Sequence, residues 1–181
     1  MQILALSGSL RRDSFNTALL RAAAELAPAG AEVVLYAGLA ALPPYDADTD
    51  PVPAAVTELR EAIASADALL IATPEYNGSM PGLLKNALDW SSRPFPESSL
   101  RNKPVAITGA STGNYGAMWA QTDLRRVLGV IGARVVGEEL PIAHAADQFN
   151  ADGHLTNAEL RARLAVHVEL LVAETQPALA A

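Results

Sequence analysis

Hydrophobic positions alternate along the chain between short continuous runs and longer stretches with helical spacing. The runs are typical of buried strands, and the spaced stretches are typical of amphipathic helices. The predicted strands are residues 2–6, 32–36, 68–73, 104–108 and 134–138. The predicted helices are residues 16–27, 54–65, 81–91, 117–131 and 157–174. Each predicted strand is therefore followed by a helix.

Strands that alternate with helices predict an α/β protein whose parallel sheet is covered on both faces. Right-handed crossovers at this length favour a flavodoxin-like, doubly wound five-stranded parallel sheet with strand order 2-1-3-4-5. The sequence has 181 residues and shows neither a linker nor an internal repeat, so a single domain, residues 1–181, is expected. Residues 38–53 and 92–103 are predicted to be long loops.

The predicted strand order also locates a ligand site. In open parallel sheets a ligand lies beyond the carboxyl ends of the strands, where the strand order reverses. That point lies here between strands 1 and 3, so the loops 7–14, 74–80 and 109–116 are predicted to converge.

The first of these loops has the chemistry of an anion site. It precedes a helix, whose N-terminus favours a bound anion, and it contains the guanidinium of Arg11. Its neutral hydrogen-bonding side chains, with those of the first helical residues, are Ser7, Ser9, Ser14, Asn16 and Thr17. Ser14 is also a typical N-cap residue, and both roles are compatible. A phosphate monoester held without a metal ion fits this loop.

The second and third loops have features that suit a planar ligand. Tyr76 can pack against an aromatic ring, and Asn77 offers an amide, although Asn77 and Gly78 are also ordinary turn formers. Glu75 taken alone is expected to be solvated or to cap a helix. The third loop, TGASTGNYGAMWAQ, is rich in small residues, and its N–H groups can reach carbonyl oxygens of a planar ligand.

Composition and charge exclude several classes of protein. The formal charge is −7 and basic residues cluster at most in pairs, which argues against nucleic-acid binding. Three histidines without metal-ligand spacing and the lack of cysteine argue against a metal site. The first residues have neither the features of a signal peptide nor a run long enough to span a bilayer. A cytoplasmic protein that does not bind membranes is expected.

Three segments together carry a family resemblance: GSLRRDSFN, PEYNGSMPGLLKNALDW and GASTGNYGA. They resemble the NAD(P)H-dependent FMN reductase family, which comprises flavodoxin-like quinone, chromate and azo-dye reductases, and the resemblance covers residues 2 to about 137. It implies FMN as the cofactor and NADPH or NADH as the co-substrate. The residues that it assigns to the FMN phosphate are Ser9, Arg11, Ser14, Phe15, Asn16 and Thr17. Those that it assigns to the flavin and ribityl chain are Pro74, Glu75, Tyr76 and Asn77, and to the pyrimidine edge Ser111, Gly113 and Gly116.

The resemblance has two departures and several implications. Many relatives have a second glycine at the position of Ala117 and an aromatic residue at that of Gly78. The implied reaction is a two-step, ping-pong transfer in which hydride passes from the nicotinamide to flavin N5 and a small-molecule electron acceptor is reduced afterwards. Because the cofactor carries this chemistry, we predict no catalytic side chain. A homodimer or homotetramer is expected.

Two other functions remain open at this point. A flavodoxin-type electron carrier would bind FMN but exchange single electrons with protein partners. A serine hydrolase would use Ser111, which lies in a literal G-x-S-x-G sequence after a strand. For that hydrolase, Asp147 or Asp152 and then His154 or His167 follow in the required chain order.

Overall fold

The fold is a parallel sheet with helices on both faces, described for residues 1–175 by a computed structural model. The strands are β1 Gln2–Ser7, β2 Glu32–Leu35, β3 Ala68–Ala72, β4 Pro104–Ala110, β5 Arg134–Val135 and β6 Leu140–Ile142. The helices are α1 Phe15–Leu26, α2 Ala54–Ser65, α3 Gly82–Ser91, α4 Met118–Ile131, α5 Ala145–Gln148 and α6 Ala158–Ala173. A 3₁₀ helix, Gly38–Ala41, interrupts the first long loop. Residues 176–181 of the predicted domain lie outside the described residues.

The strand order is β2-β1-β3-β4-β5, as predicted, and every pairing is parallel. Ser7 at the end of β1 is aligned with Ala72 at the end of β3, and Ala72 is aligned with Thr108 in β4. The three central strands therefore end at one edge of the sheet. The loops that follow them are brought together there.

The fifth position in the sheet differs from the single strand predicted for residues 134–138. It is divided between β5 and β6, which pair with different parts of β4. Val136 still donates to the Val105 carbonyl oxygen at 2.8 Å, and the chain bends after it. At the bend Arg125 of α4 donates to the Gly137 carbonyl oxygen at 2.6 Å and pairs with Glu139 at 2.5 Å.

Two hydrophobic clusters lie on opposite faces of the sheet. One includes Ile3 and Ala5 of β1 and packs against α1 and α6. The other includes Leu4 and Leu6 of the same strand and packs against α2, α3 and α4. Because successive strand residues point to opposite faces, burial on both faces explains why the strands read as continuous apolar runs.

His167 is a buried polar residue within α6. Only 7% of its surface is exposed. Burial lowers the pKa of His167 below its usual value of 6.5, and this effect is opposed by a hydrogen bond to the backbone of Ile107. The charges of Arg125 and Glu139 act on the His167 pKa in opposite directions. Among residues 1–175, its Nε2 atom has no hydrogen-bond partner.

The lowered pKa of His167 predicts a pH-dependent stability. The unfolded chain takes up this proton near pH 6.5, whereas the folded protein takes it up at lower pH. The unfolded state therefore binds more protons in between, and the free energy of unfolding falls as the pH drops below about 6.5. Urea titrations at several pH values will show a smaller decline for His167→Gln than for the wild type.

The matched control for this measurement is the exposed His144. The variant His144→Gln is expected to keep the wild-type pH dependence. If the free energy of unfolding declined equally with falling pH in the wild type and in His167→Gln, the lowered pKa of His167 would be contradicted.

Candidate functional site

The loops after β1, β3 and β4 meet at the carboxyl edge of the sheet and enclose a cavity of about 160 Å³. The predicted binding residues that line it are Ser9, Arg11, Ser14, Phe15, Asn16, Pro74, Glu75, Tyr76 and Ser111. Ala110 and Thr112 complete the lining. Four other predicted residues, Thr17, Asn77, Gly113 and Gly116, lie in the same loops or in α1 but outside this lining. A second cavity, of about 470 Å³, shares Ser9, Arg11 and Tyr76 with the first.

The N-terminus of α1 presents free donors at this cavity. Ser14 caps the helix, with its Oγ accepting from the Thr17 N–H at 3.3 Å. Among residues 1–175, the N–H groups of Phe15 and Asn16 have no acceptor. The Arg11 guanidinium lines the same cavity and takes part in none of the ion pairs within the described chain. Free N–H groups, a helix dipole and one guanidinium together make a site for an anion.

The Asn16 side chain connects α1 to β4. Its Nδ2 donates to the Ala110 carbonyl oxygen at 3.0 Å, and its Oδ1 accepts from the Ala110 N–H at 2.9 Å. The residue is 3% exposed. Its amide is therefore engaged with the backbone, so Asn16 offers a ligand its main-chain N–H.

The second loop is a tight hairpin turn. Tyr76 and Ser79 exchange two backbone hydrogen bonds, of 3.0 and 3.2 Å. The central residues Asn77 and Gly78 have φ values of 54° and 76°. Positive φ at both positions defines a type I′ turn, for which Asn-Gly is the favoured sequence. Asn77 and Gly78 therefore form the turn itself. Tyr76, which precedes them, is half exposed beside the cavity.

Two side chains tie the second loop to α4. Glu75 Oε2 accepts from the Ala120 N–H at 3.2 Å, in keeping with a capping role. Ser79 Oγ donates to Asp123 Oδ2 at 2.6 Å. That hydrogen bond and one from Arg126 lower the pKa of Asp123. The loop is thus held against the first two turns of α4.

The third loop is held by close backbone packing. Gly116 has a φ of 57°, and a Cβ there would lie 2.6 Å from the Ile142 nitrogen. Ala117 follows in the same left-handed region, with a φ of 63°. The fully buried Gln121 donates from Nε2 to the Gly116 carbonyl oxygen at 2.9 Å. The loop therefore has little freedom to move away from the site.

The hydrolase interpretation lacks its base. Ser111 Oγ accepts from the Gly113 N–H at 3.2 Å, and no histidine of the described chain hydrogen bonds to it. His154 Nδ1 lies 3.4 Å from Glu25 Oε1, and His167 is buried in α6 beside the backbone of Ile107. The G-x-S-x-G match is therefore a turn sequence.

Residues 1–175 contain no group of three or more His, Cys, Asp or Glu side chains able to hold a metal ion. Within the same residues, every helix is too short or too polar to cross a membrane.

Comparison with known proteins identifies the family. The model of the NADPH-dependent FMN reductases matches residues 1–147. The chain belongs to the NADPH-dependent FMN reductase family. An NAD(P)H-dependent FMN reductase of Pseudomonas aeruginosa is 44% identical over 164 residues, which is 89% of this chain and 88% of that protein. A 2-hydroxy-1,4-benzoquinone reductase of a Burkholderia species is 42% identical over 163 residues, again 89% and 88% of the two chains.

A solved structure agrees with this membership. The flavoenzyme NAD(P)H:(acceptor) oxidoreductase FerB from Paracoccus denitrificans superposes with a TM-score of 0.83 at 34% identity. The alignment covers 96% of this chain and 98% of FerB. The predicted fold and family are confirmed, and FMN with NAD(P)H is the cofactor pair of this FMN reductase family.

The residues of the site fit a phosphorylated flavin. The donors at the start of α1 suit the phosphate, and the rigid second and third loops present backbone groups at the other side of the cavity. Ligand pockets for molecules of this size usually measure about 300–1,000 Å³. The 160 Å³ cavity is smaller, so a molecule as large as FMN would extend beyond it, past the half-exposed Tyr76.

Sequence reasoning missed Gln121 and Asp123, which hold the two loops of this FMN reductase in place. Gln121 occupies a position on the buried face of α4 together with Leu124 and Leu128. Gln121 could have been recognised in the sequence, because it is a polar residue at a position of α4 where the helical spacing predicts an apolar one. Asp123 gave no comparable signal, because its partner Ser79 lies 44 residues away.

The Asn16 contact predicts a loss of stability on truncation. The variant Asn16→Ala would leave the Ala110 N–H and carbonyl buried without their partner, which typically costs about 1–3 kcal/mol. Urea unfolding of the apoprotein measures this change. The exposed Asn114→Ala is the matched control and is expected to unfold like the wild type. An unchanged midpoint for Asn16→Ala would contradict the structural role.

Proposed function

We propose that this chain binds FMN across its three loops and uses it to pass two electrons from NADPH or NADH to a small-molecule acceptor. The observation that carries the proposal is the set of free donors at the α1 N-terminus next to Arg11, in a chain of the FMN reductase family. We also propose a cytoplasmic location and one domain for the chain. The lack of cysteine supports the location.

Each loop has its own part in holding the cofactor. The phosphate is bound by Arg11, the hydroxyl of Ser9 and the N–H groups at the start of α1, with Ser14 and Thr17 supporting that turn. Pro74, Glu75, Tyr76 and Asn77 border the flavin and ribityl chain. The third loop meets the pyrimidine edge of the ring through Ser111, Gly113 and Gly116. The proposal for these contacts rests on the family resemblance and on the convergence of the loops.

FMN, when bound, supplies the hydride chemistry at N5, and alternate use of one binding place by nicotinamide and acceptor gives ping-pong kinetics. The chain's own residues bind and orient the ring. No side chain is needed as a general acid or base, so we assign no catalytic residue. Quinones are the proposed acceptor class, since a similar Burkholderia protein is a 2-hydroxy-1,4-benzoquinone reductase.

We further propose that the protein is a homodimer or homotetramer. Aromatic side chains at the rim of the site and at the start of α4 are about half exposed: Tyr76, Tyr115 and Trp119. Tyr115 and Trp119 pack against each other with ring centroids 4.8 Å apart. Large exposed aromatic groups beside a binding site are typical of a surface that a second subunit covers.

The function is tested by mixing the FMN-loaded protein with NADPH in the absence of oxygen. The yellow colour is expected to bleach and to return when a quinone is added, and steady-state double-reciprocal plots are expected to be parallel. Failure to bleach would contradict the reductase proposal. Reduction in two separate one-electron steps during a redox titration would favour the electron carrier instead.

Arg11 and Arg12 offer a matched pair for this experiment. Arg11 lines the cavity and Arg12 does not. Loss of a charge-assisted hydrogen bond costs about 1.5–3 kcal/mol, so Arg11→Ala is expected to weaken FMN binding roughly 10- to 100-fold. Arg12→Ala is expected to bind FMN like the wild type in fluorescence titrations. Equal affinities for the two variants would contradict the proposed phosphate site.

The oligomer proposal is tested by light scattering coupled to size exclusion. Trp119→Lys places a charge on the proposed interface and is expected to reduce the mass to that of a monomer. Val166→Lys changes a residue of equal exposure on α6, 53% against 52%, and is expected to keep the wild-type mass. A monomeric wild type would overturn the proposal.

A further inference from the structure

Glu75 is the residue through which the second loop reaches the start of α4. Its Oε2 accepts from the N–H of Ala120, the third residue of that helix. An N-cap side chain usually serves this N–H group. The N-cap residue here is Ala117, whose methyl side chain has no acceptor, and Glu75 supplies the acceptor from 45 residues away.

Glu75 is also one of the residues that line the candidate site. Among the lining residues of the 160 Å³ cavity, it is the sole acidic side chain in the described chain. It belongs to none of the ion pairs formed within residues 1–175. Asp123, the other acidic residue that ties this loop to α4, pairs with Arg126 and is not part of the lining. Among the described residues, Glu75 is therefore the acidic member of the cavity lining, and its carboxylate is held by the Ala120 N–H.

A fixed negative charge beside a redox group opposes the addition of electrons. The effect is larger at a partly enclosed site than in bulk water, because the effective dielectric constant is lower there. The α4 N-terminus holds the charge in one place, since the partial positive end of a helix attracts a carboxylate. Glu75 thus combines a defined position with a defined electrostatic effect.

We propose that Glu75 is a positioning residue that holds the second loop against α4 and lowers the reduction potential of bound FMN. This inference rests on the proposed function, because it concerns the flavin that the three loops are proposed to bind. The proposed role of the Glu75 side chain is distinct from forming the turn and from contacting the flavin directly.

Two substitutions separate the two effects. Glu75→Gln keeps an oxygen that can accept from the Ala120 N–H but removes the charge. Glu75→Ala removes both the acceptor and the charge. Glu61→Gln, on the exposed face of α2, removes one negative charge at a distance and serves as the control.

The potential of the FMN-loaded protein is measured by equilibration with a reference dye, and the thermal midpoint of the apoprotein is measured separately. Glu75→Gln is expected to shift the equilibrium between oxidised and reduced flavin at least tenfold toward the reduced form, a rise of about 30 mV for two electrons. Its thermal midpoint is expected to lie between those of the wild type and Glu75→Ala, because the hydrogen bond is kept and the attraction to the helix N-terminus is lost. Glu75→Ala is expected to show the same rise in potential and a lower thermal midpoint, while Glu61→Gln changes neither.

The outcomes distinguish this inference from the function on which it rests. A wild type that does not bind FMN, or is not reduced by NADPH, would overturn the proposed function. A wild type that passes both tests, with an unchanged potential in Glu75→Gln, would overturn the electrostatic role of Glu75 alone. Equal thermal midpoints for Glu75→Ala and the wild type would overturn its positioning role.

Discussion

Two hydrogen bonds between the Asn16 amide and the Ala110 backbone join the start of α1 to the end of β4. The parallel sheet brings the three loops to one edge, but it does not fix how the first helix is placed against the third loop. The Asn16 contact sets that placement. The second loop is placed by α4, whose Ala120 N–H donates to Glu75 and whose Asp123 accepts from Ser79. The candidate site is therefore formed by contacts between elements that are far apart in sequence.

The fold was largely predictable because burial on both faces of the sheet produces a simple pattern. Strands such as β3 and β4 are buried along their whole length and read as unbroken apolar runs. The five predicted helices begin and end within one residue of their predicted limits, whereas the short α5 was not predicted. The divided fifth strand was not predictable, because it depends on Arg125 of α4, which binds the Gly137 carbonyl.

Topology predicted the place of the site better than residue type predicted the role of each side chain. The three loops converge as the strand order requires. Asn16 looks like a ligand residue in the sequence, yet its amide is bound to a residue 94 positions away. Asn77 also has polar groups suited to a ligand, and its positive φ gives it a turn position. A short stretch of sequence indicates the backbone conformation that its residues prefer. It does not indicate hydrogen bonds between residues that are far apart in the sequence.

The interruption between β5 and β6 has a consequence for solution behaviour. An exposed strand at the border of a sheet offers a row of free backbone groups on which another chain can add a strand. Here that border consists of segments of two and three residues separated by a bend, with Arg134 in the first segment and Glu138 between the two. Such short segments with charged side chains are poor templates for strand addition.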